Sequence, residues 1–133
     1  MPSGTILIAD DEPAVRAYIR NILKMEGFQL IEAADGMDAL EQIKQRGAPI
    51  DLLVTDIRMP RMDGVALARS VSEVYPKTPV LYISGYPFEL EREHSPNTGR
   101  PCAFLAKPFT RKTLLDAVGK CLHTPENLVG SEK

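Results

Sequence analysis

Two spacings of apolar residues alternate along the chain, and this alternation predicts an α/β fold. Short, nearly continuous apolar runs predict strands of a parallel sheet, because both faces of such strands are covered. Between these runs, apolar residues recur every three or four positions, which is the spacing of an amphipathic helix. Five strands are predicted, at residues 5–9, 28–33, 51–55, 80–84 and 103–106. The pattern therefore predicts a parallel sheet with helices on its faces.

Four helical segments lie between or after these strands. Their predicted apolar stripes are Val15, Tyr18, Ile19, Ile22 and Leu23; Met37, Leu40 and Ile43; Leu67, Val71 and Val74; and Leu114, Leu115, Val118 and Leu122. Asp63 and Thr110 are predicted N-caps, since their side chains can accept a hydrogen bond from a free backbone N–H. Gly27 and Gly47 are predicted to end the first two helices.

Two regions depart from this pattern. The segment after the fourth strand has few large apolar residues and many turn-forming ones, so any helix there is expected to be short and weakly anchored. Residues 123–133 are polar and are expected to fray. The prediction is thus one domain over residues 4–122, followed by a polar tail.

Composition narrows the classes of function. The chain has 133 residues, 44% of them apolar, which suits a single domain with its own core. Its 16 basic residues nearly balance 18 acidic ones and form no cluster, which argues against direct nucleic-acid binding. No apolar run approaches the roughly 18 residues of a membrane span, and no secretory leader is recognisable. We therefore expect a cytoplasmic protein without a membrane partner.

The two cysteines, Cys102 and Cys121, are 19 positions apart and belong to no CxxC motif. This spacing indicates neither a disulfide framework nor a zinc site. Two free thiols in a reducing compartment are the expectation. His94 and His123 have no ligand-like neighbours and are expected to be surface residues.

Polar and charged residues follow four of the five strands. In chain order they are Asp10, Asp11, Glu12, Asp56, Ser84 and Lys107. Because ligands of open parallel sheets bind at the carboxyl ends of the strands, we expect these side chains to converge at one edge. Neighbouring carboxylates repel, and a divalent cation with oxygen ligands relieves the repulsion. Mg²⁺ suits the set best, because it keeps water positions that a phosphoryl oxygen can occupy.

With these residues in this order along the chain, the sequence resembles the receiver domain of two-component response regulators. The matching motifs are DDEP at 10–13, DIRMP at 56–60 with DG at 63–64, SGY at 84–86 and FLAKPF at 104–109. Residues 99–115 also resemble receivers attached to hybrid sensor histidine kinases. The resemblance implies a flavodoxin-like (CheY-like), doubly wound, three-layer α/β/α fold with a five-stranded parallel sheet in the order 2-1-3-4-5.

The same resemblance implies the chemistry of the site. Asp56 is the expected phospho-acceptor, receiving a phosphoryl group from a phosphohistidine of a histidine kinase or phosphotransfer protein. Asp11, Asp56 and the backbone carbonyl of Arg58 are expected to bind Mg²⁺ or Mn²⁺, with Asp10 acting through a metal-bound water. Lys107 is expected to pair with a phosphoryl oxygen. The domain would act as a signalling phospho-acceptor that assists its own phosphorylation and dephosphorylation, and not as an enzyme.

A conformational switch is also implied. Ser84 would bind another phosphoryl oxygen, and Phe104 would rotate to alter the surface around the family's fourth helix, fifth strand and fifth helix. This surface would bind a downstream protein or a second copy of the chain. The family often has Tyr and Thr where this chain has Phe104 and Ser84, so rotation here can depend only on packing. The Lys107–Pro108 peptide bond is expected to be cis.

Other interpretations stay open. Each residue alone has a simpler role: Asp10, Asp11 and Glu12 could merely complement a helix dipole, and Ser84 could belong to an ordinary turn. A Mg²⁺-dependent aspartyl phosphatase would need a second acid two positions after Asp56, where this chain has arginine. A flavin-binding module would need a phosphate loop after the first strand, where this chain has three acids. A receiver-like interaction module that is never phosphorylated is a further alternative, and the chain could be a stand-alone regulator or a segment of a hybrid kinase.

Overall fold

Five parallel strands form a single sheet in the computed structural model, which describes residues 4–85 and 100–122. The strands are β1 (Thr5–Ala9), β2 (Gln29–Ala33), β3 (Leu52–Asp56), β4 (Pro79–Ser84) and β5 (Arg100–Ala106). Their spatial order is β2-β1-β3-β4-β5, as the family resemblance implied. The winding reverses between β1 and β3, and the carboxyl ends of these two strands border the resulting crevice.

Helices cover both faces of the sheet and confirm the three-layer prediction. They are α1 (Pro13–Met25), α2 (Gly36–Arg46), α3 (Gly64–Val74) and α4 (Arg111–Leu122). Helices α1 and α4 pack against one face, and α2 and α3 pack against the other. Any helix between β4 and β5, the polar tail, and His94 and His123 lie outside the described residues.

The strand boundaries match the predictions to within one residue, except at β5. This strand begins at Arg100 and not at residue 103. Val80 pairs with Pro101, whereas the next residue of β4, Leu81, pairs with Ala103. Cys102 is therefore the extra residue of a β-bulge, a local irregularity that the apolar pattern does not record.

The predicted apolar stripes are buried at their centres but not at their margins. Tyr18, Met37 and Val74 are largely exposed, although the spacing placed them on the inner faces of their helices. A stripe that faces a sheet is narrow, so residues at its edge reach solvent. The ring of Tyr18 lies 5.7 Å from that of Phe109, so this tyrosine packs against the segment that precedes α4.

Both predicted helix caps form. Asp63 accepts a hydrogen bond from the Ala66 N–H at 2.8 Å, and Thr110 accepts one from the Thr113 N–H at 3.1 Å. Gly47 ends α2 with a positive φ of 68°, a conformation that costs glycine little. These caps place the loops that precede α3 and α4 at the carboxyl edge of the sheet.

The expectation of two free thiols is wrong. Cys102 and Cys121 form a disulfide, with their Cα atoms 5.1 Å apart. The bulge in β5 turns Cys102 toward α4, and the last turn of α4 places Cys121 opposite it. Sequence spacing alone contains neither fact, which is why the pairing was not predicted.

No described helix, within residues 4–85 and 100–122, is both long and apolar enough to cross a bilayer.

We expect Gly64→Ala to lower the free energy of unfolding by about 2 kcal/mol, because a side chain there forces backbone apart. A Cβ atom at Gly64 would lie 2.1 Å from the backbone oxygen of Asp56. Urea denaturation would measure the loss. Gly119→Ala is the matched control: nothing lies within 4 Å of its added Cβ, and it should stabilise α4 by about 0.5–1 kcal/mol. Equal effects of the two substitutions would contradict this account.

Candidate functional site

Three carboxylates converge at the carboxyl ends of β1 and β3. Asp10 and Asp11 directly follow β1, and Asp56 is the last residue of β3. One oxygen from each side chain lies within 4.8 Å of the others, so the three could hold a metal ion. Asp10 is fully buried and Asp56 is 7% exposed, whereas Asp11 faces solvent. The cluster therefore extends from the interior of the sheet edge to the surface.

Asp10 is only partly satisfied by protein groups. Its Oδ1 accepts a hydrogen bond from the Glu12 N–H at 2.8 Å. Its buried Oδ2 accepts none among the described residues, although Lys107 Nζ lies 3.4 Å away. Burial raises the pKa of Asp10 to about 6, against the hydrogen bond from Glu12, and the charge of Asp56 adds to the increase. A buried acceptor without a partner marks a place where a cation or a water can bind.

Asp56 is held through both of its carboxylate oxygens. Oδ2 accepts a hydrogen bond from Lys107 Nζ at 2.8 Å, and Oδ1 accepts one from the Arg58 N–H at 3.2 Å. Burial raises the pKa of Asp56 above its ordinary value, while Lys107 and the Arg58 N–H oppose the increase. A carboxylate that is poorly solvated but precisely held is a better nucleophile than one in water.

Lys107 is the cation at the centre of the site. Besides Asp56 and Asp10, its Nζ contacts Glu12 Oε1 at 2.7 Å. Burial disfavours its charge, but the hydrogen bonds to Asp56 and Glu12 outweigh this cost and raise the pKa above its ordinary range. The Lys107–Pro108 bond is cis, as the resemblance implied, and the Lys107 N–H donates to the Ser84 carbonyl at 2.8 Å. The backbone of Lys107 is thus fixed to the end of β4, while its ammonium contacts the acids at the ends of β1 and β3.

Ser84 and Phe104, the two predicted switch residues, lie on adjacent strands. Ser84 is the last residue of β4 and is buried. Phe104 is half-buried, and its ring stacks on that of Tyr82 with centroids 5.6 Å apart and planes inclined by 14°. Phe104 therefore packs with the apolar cluster between the sheet and the α2–α3 layer.

An open cleft of about 480 Å³ leads to the cluster. Its lining residues are Asp11, Glu12, Asp56, Arg58, Gly85 and Lys107. The cleft is large enough for a phosphoryl group and its carrier side chain, and Asp56 lines it. Tyr86, the last residue of the SGY motif, lies outside the described residues.

Two ion pairs of the site were not predicted. One is the contact of Glu12 with Lys107 described above. The other joins the loops before α2 and α3: Arg61 donates through Nε and Nη2 to the two carboxylate oxygens of Asp35, at 2.8 and 3.0 Å. Arg61 has a positive φ of 67°, which turns its side chain toward Asp35. No local motif marks a pair 26 residues apart, so only the fold brings it together.

We expect Arg61→Gln to raise the pKa of Asp35. Hydrogen bonds from Arg61, followed by that from the Asp38 N–H, hold this pKa below its ordinary value in the parent chain. An NMR pH titration of the aspartate carboxyl groups would measure the change. Lys112→Gln, which removes a cation paired with Asp116, is the control and should leave Asp35 unaltered. An unchanged titration of Asp35 in Arg61→Gln would show that the pair does not form.

Comparisons with known proteins agree with this geometry. The family model of the response regulator receiver domain matches residues 6–119. Over 120 residues, which are 90% of this chain, the sequence is 35% identical to the sensor kinase CckA of Brucella abortus (strain 2308), but it spans only 13% of that protein. It is 32% identical over 117 residues to the response regulator receiver protein CpdR of the same organism, covering 88% of this chain and 95% of that one.

A solved structure of a complex with BeF3 and Mg²⁺ contains a chain of similar fold. It is a chain of the CheX–CheY–BeF3–Mg²⁺ complex from Borrelia burgdorferi, with 31% sequence identity and a TM-score of 0.77. The alignment covers 86% of the present chain and 85% of that one. The relatives thus include both a free-standing regulator and a small part of a large kinase.

Proposed function

Since this chain belongs to the response regulator receiver domain family of two-component signalling, we propose that it accepts a phosphoryl group on Asp56 from a phosphohistidine. The observation that carries the proposal is the position of the Asp56 carboxylate. It lies 2.8 Å from the Lys107 ammonium, within 4.8 Å of two further carboxylates, and at the base of an open cleft. The Asp56 carboxylate is therefore a nucleophile that lies beside both a positive charge and a candidate cation site.

The acidic cluster fits Mg²⁺ or Mn²⁺. Asp11, Asp56 and the backbone carbonyl of Arg58 would hold the ion, and Asp10 would act through a bound water. The buried Oδ2 of Asp10, which accepts no hydrogen bond among the described residues, supports this assignment, and the oxygen-only donor set is the one that Mg²⁺ prefers. When bound, the ion would neutralise negative charge on the transferring phosphoryl oxygens. The similar chain from Borrelia burgdorferi belongs to a complex that contains BeF3 and Mg²⁺.

The transfer itself needs positioning and charge neutralisation. An oxygen of Asp56 attacks the phosphorus, an O–P bond forms, and the N–P bond of the phosphohistidine breaks. The electron pair of that bond stays on the imidazole nitrogen, and because the other ring nitrogen carries a proton, histidine leaves as the neutral imidazole. Lys107 keeps its charge throughout, because its pKa is raised, and moves from the carboxylate to a phosphoryl oxygen.

The signal would then pass from Ser84 to Phe104. The Ser84 hydroxyl would bind a phosphoryl oxygen, drawing in the end of β4, whose carbonyl already binds the Lys107 N–H. Phe104 would leave its stacked position on Tyr82 and change the surface around β5 and the last helix. Packing alone would drive this rotation, because phenylalanine has no hydroxyl to form a new hydrogen bond.

Receiver domains interact with kinases and phosphotransfer proteins, and we propose the same classes of partner here. The phosphate donor would be a histidine kinase or a histidine phosphotransfer protein, and the recipient of the signal a downstream protein or a second copy of the chain. We place the reaction in the cytoplasm, where ATP-dependent kinases form phosphohistidine. We assign residues 4–122 to the receiver domain and residues 123–133 to a polar tail.

The direct test is incubation of the chain with Mg²⁺ and a small-molecule phosphodonor, followed by intact-mass measurement. We expect the mass to rise by one phosphoryl group, and the product to decay in base as an acyl phosphate does. Chelation of Mg²⁺ before the donor is added should suppress the product. A chain that stays unmodified with Mg²⁺ would support the unphosphorylated interaction module instead.

A further inference from the structure

The disulfide between β5 and α4 has no role in the proposed phosphoryl transfer. Cys102 lies near the amino end of β5, and Lys107 follows the carboxyl end of the same strand. The two positions are five residue steps apart along the strand, roughly 16 Å at about 3.3 Å per residue. The disulfide is therefore remote from the acidic cluster, and its function has to be sought separately.

The bulge in β5 creates the cysteine pairing. Along a regular strand, alternate residues face opposite sides of the sheet, so Cys102 would share a face with Phe104. Instead, Cys102 packs with Ala103 and Leu105 against the α1–α4 layer, because the extra residue shifts the alternation. The irregularity thus presents one sulfur to the last turn of a helix whose buried Cys121 carries the other.

Both oxidation states are accommodated at this position. In the oxidised state, the two sulfurs are bonded and Cys121 is completely buried. In the reduced state, the Cys102 thiol has a ready acceptor, because its Sγ lies 3.1 Å from the backbone oxygen of Val80. The Cys121 thiol would remain among apolar side chains, where a free cysteine packs as a small hydrophobic residue.

The two ends of α4 are fastened differently. Its first turn is held by the reciprocal hydrogen bonds of Thr110 and Thr113 and by the ion pair of Arg111 with Glu26 at 2.7 Å. Its last turn is tied covalently to β5 through Cys121. Breaking the disulfide therefore removes a constraint from the carboxyl end of α4 and leaves the anchors of its first turn intact.

We propose that Cys102 and Cys121 form a reversible redox site, in which a thiol or dithiol reductant opens the disulfide and loosens the last turn of α4 from β5. Cys102 is partly exposed, so a thiolate of the reductant attacks its sulfur. An S–S bond to the reductant forms, the protein disulfide breaks, and Cys121 leaves as a thiolate and takes a proton. A second reductant thiolate then attacks the reductant's sulfur, and Cys102 leaves and is protonated. Two electrons and two protons enter the protein, and the reductant becomes a disulfide.

The consequence is a second input to the same domain. Helix α4 and strand β5 also flank Lys107 at their other ends, so the redox state would set the mobility of the far end of the helix–strand pair that borders the phosphorylation site. This input does not require phosphorylation of Asp56, and it stands even if no phosphoryl group is ever accepted.

The test equilibrates the full chain in glutathione buffers that range from fully reduced to mostly oxidised. After acid quenching, free thiols are alkylated in denaturant and counted by intact mass. We expect a single transition from two alkylated cysteines to none within this range, reversible in both directions. A chain with no alkylated cysteine in excess reduced glutathione, or with two in excess oxidised glutathione, would overturn the proposal.

Hydrogen exchange measured by peptide mass spectrometry tests the loosening. Peptides that cover residues 116–122 should exchange at least about threefold faster in the reduced chain, while peptides from α1 stay unchanged. Cys102→Ser cannot form the disulfide but keeps a donor for the Val80 carbonyl, so it should match the reduced chain in either buffer. Equal exchange of residues 116–122 in the oxidised and reduced chains would overturn the mechanical part of the proposal. Phosphorylation by a small-molecule donor, measured in parallel, keeps this outcome separate from the fate of the proposed function.

Discussion

Asp56→Asn is expected to abolish covalent phosphorylation of the chain. An amide oxygen is too weak a nucleophile to attack phosphorus, and the Asn side chain cannot replace the carboxylate that Lys107 and the Arg58 N–H hold in place. The fold should persist, because Lys107 keeps its contact with Glu12 and one buried negative charge is removed. Intact mass after treatment with Mg²⁺ and a phosphodonor would show a fully labelled parent and an unlabelled variant.

The matched control is Asp63→Asn. Asp63 lies in the loop after β3, but it points away from the cluster and caps α3. Asparagine is an equally good N-cap, so this variant removes the same charge from the same loop without loss of stability. It should be labelled like the parent. Equal labelling of Asp56→Asn and the parent would mean that another residue accepts the phosphoryl group.

Asp10→Asn should raise the free energy of unfolding by up to about 3 kcal/mol at about pH 7.5 without divalent cations. Asp10 is fully buried, and its pKa is raised from 3.8 to about 6, chiefly by burial. Its ionisation at neutral pH therefore costs the folded state free energy. Asparagine removes that charge, and its oxygen can still accept the hydrogen bond from the Glu12 N–H. Urea denaturation in the presence of a chelator would measure the gain.

The sign of the pH dependence follows from proton binding. Between pH 3.8 and about 6, folded Asp10 keeps a proton that the unfolded chain has released. The folded state binds more protons in this interval, so the contribution of Asp10 to stability falls as the pH rises through it. The advantage of Asp10→Asn should thus be absent below about pH 4 and complete above about pH 6.

Two further measurements check the cause. Added Mg²⁺ should narrow the difference between the parent and Asp10→Asn, because a cation that binds only the folded parent stabilises it. Asp116→Asn removes an exposed carboxylate paired with Lys112 and should change stability little at any pH. A gain in stability for Asp10→Asn that is independent of pH, or a loss, would contradict the assignment.

Much of the fold is predictable because the buried strands are evident in the sequence as short runs of apolar residues. Every residue of β1 and β3 is buried, so an uninterrupted apolar run is sufficient to locate each strand. The residues that follow these strands meet at one edge through the topology alone, and this placed Asp10, Asp11, Asp56 and Lys107 in one site. The family resemblance supplied the strand order and the cis bond before Pro108, both of which the structure confirms.

The features that were missed depend on local geometry that spacing does not record. The disulfide requires a bulge at Cys102, and the Asp35–Arg61 pair requires a positive φ at Arg61. Glu12 was identified as one of three adjacent acids after the first strand. Its contact with Lys107 was not predicted, because it depends on the path of the chain between Lys107 and α4. For the disulfide and the Asp35–Arg61 pair, a backbone irregularity, and not an apolar pattern, brings the partners together.

The proposed function depends on Asp56 being the residue that forms the acyl phosphate. Borohydride reduces an aspartyl phosphate to homoserine, which survives proteolysis and is located by tandem mass spectrometry. We expect homoserine at position 56 alone, in chains treated with Mg²⁺ and a phosphodonor before reduction. Homoserine at position 10 or 11, or none at position 56 in a chain that gained the mass of a phosphoryl group, would contradict it.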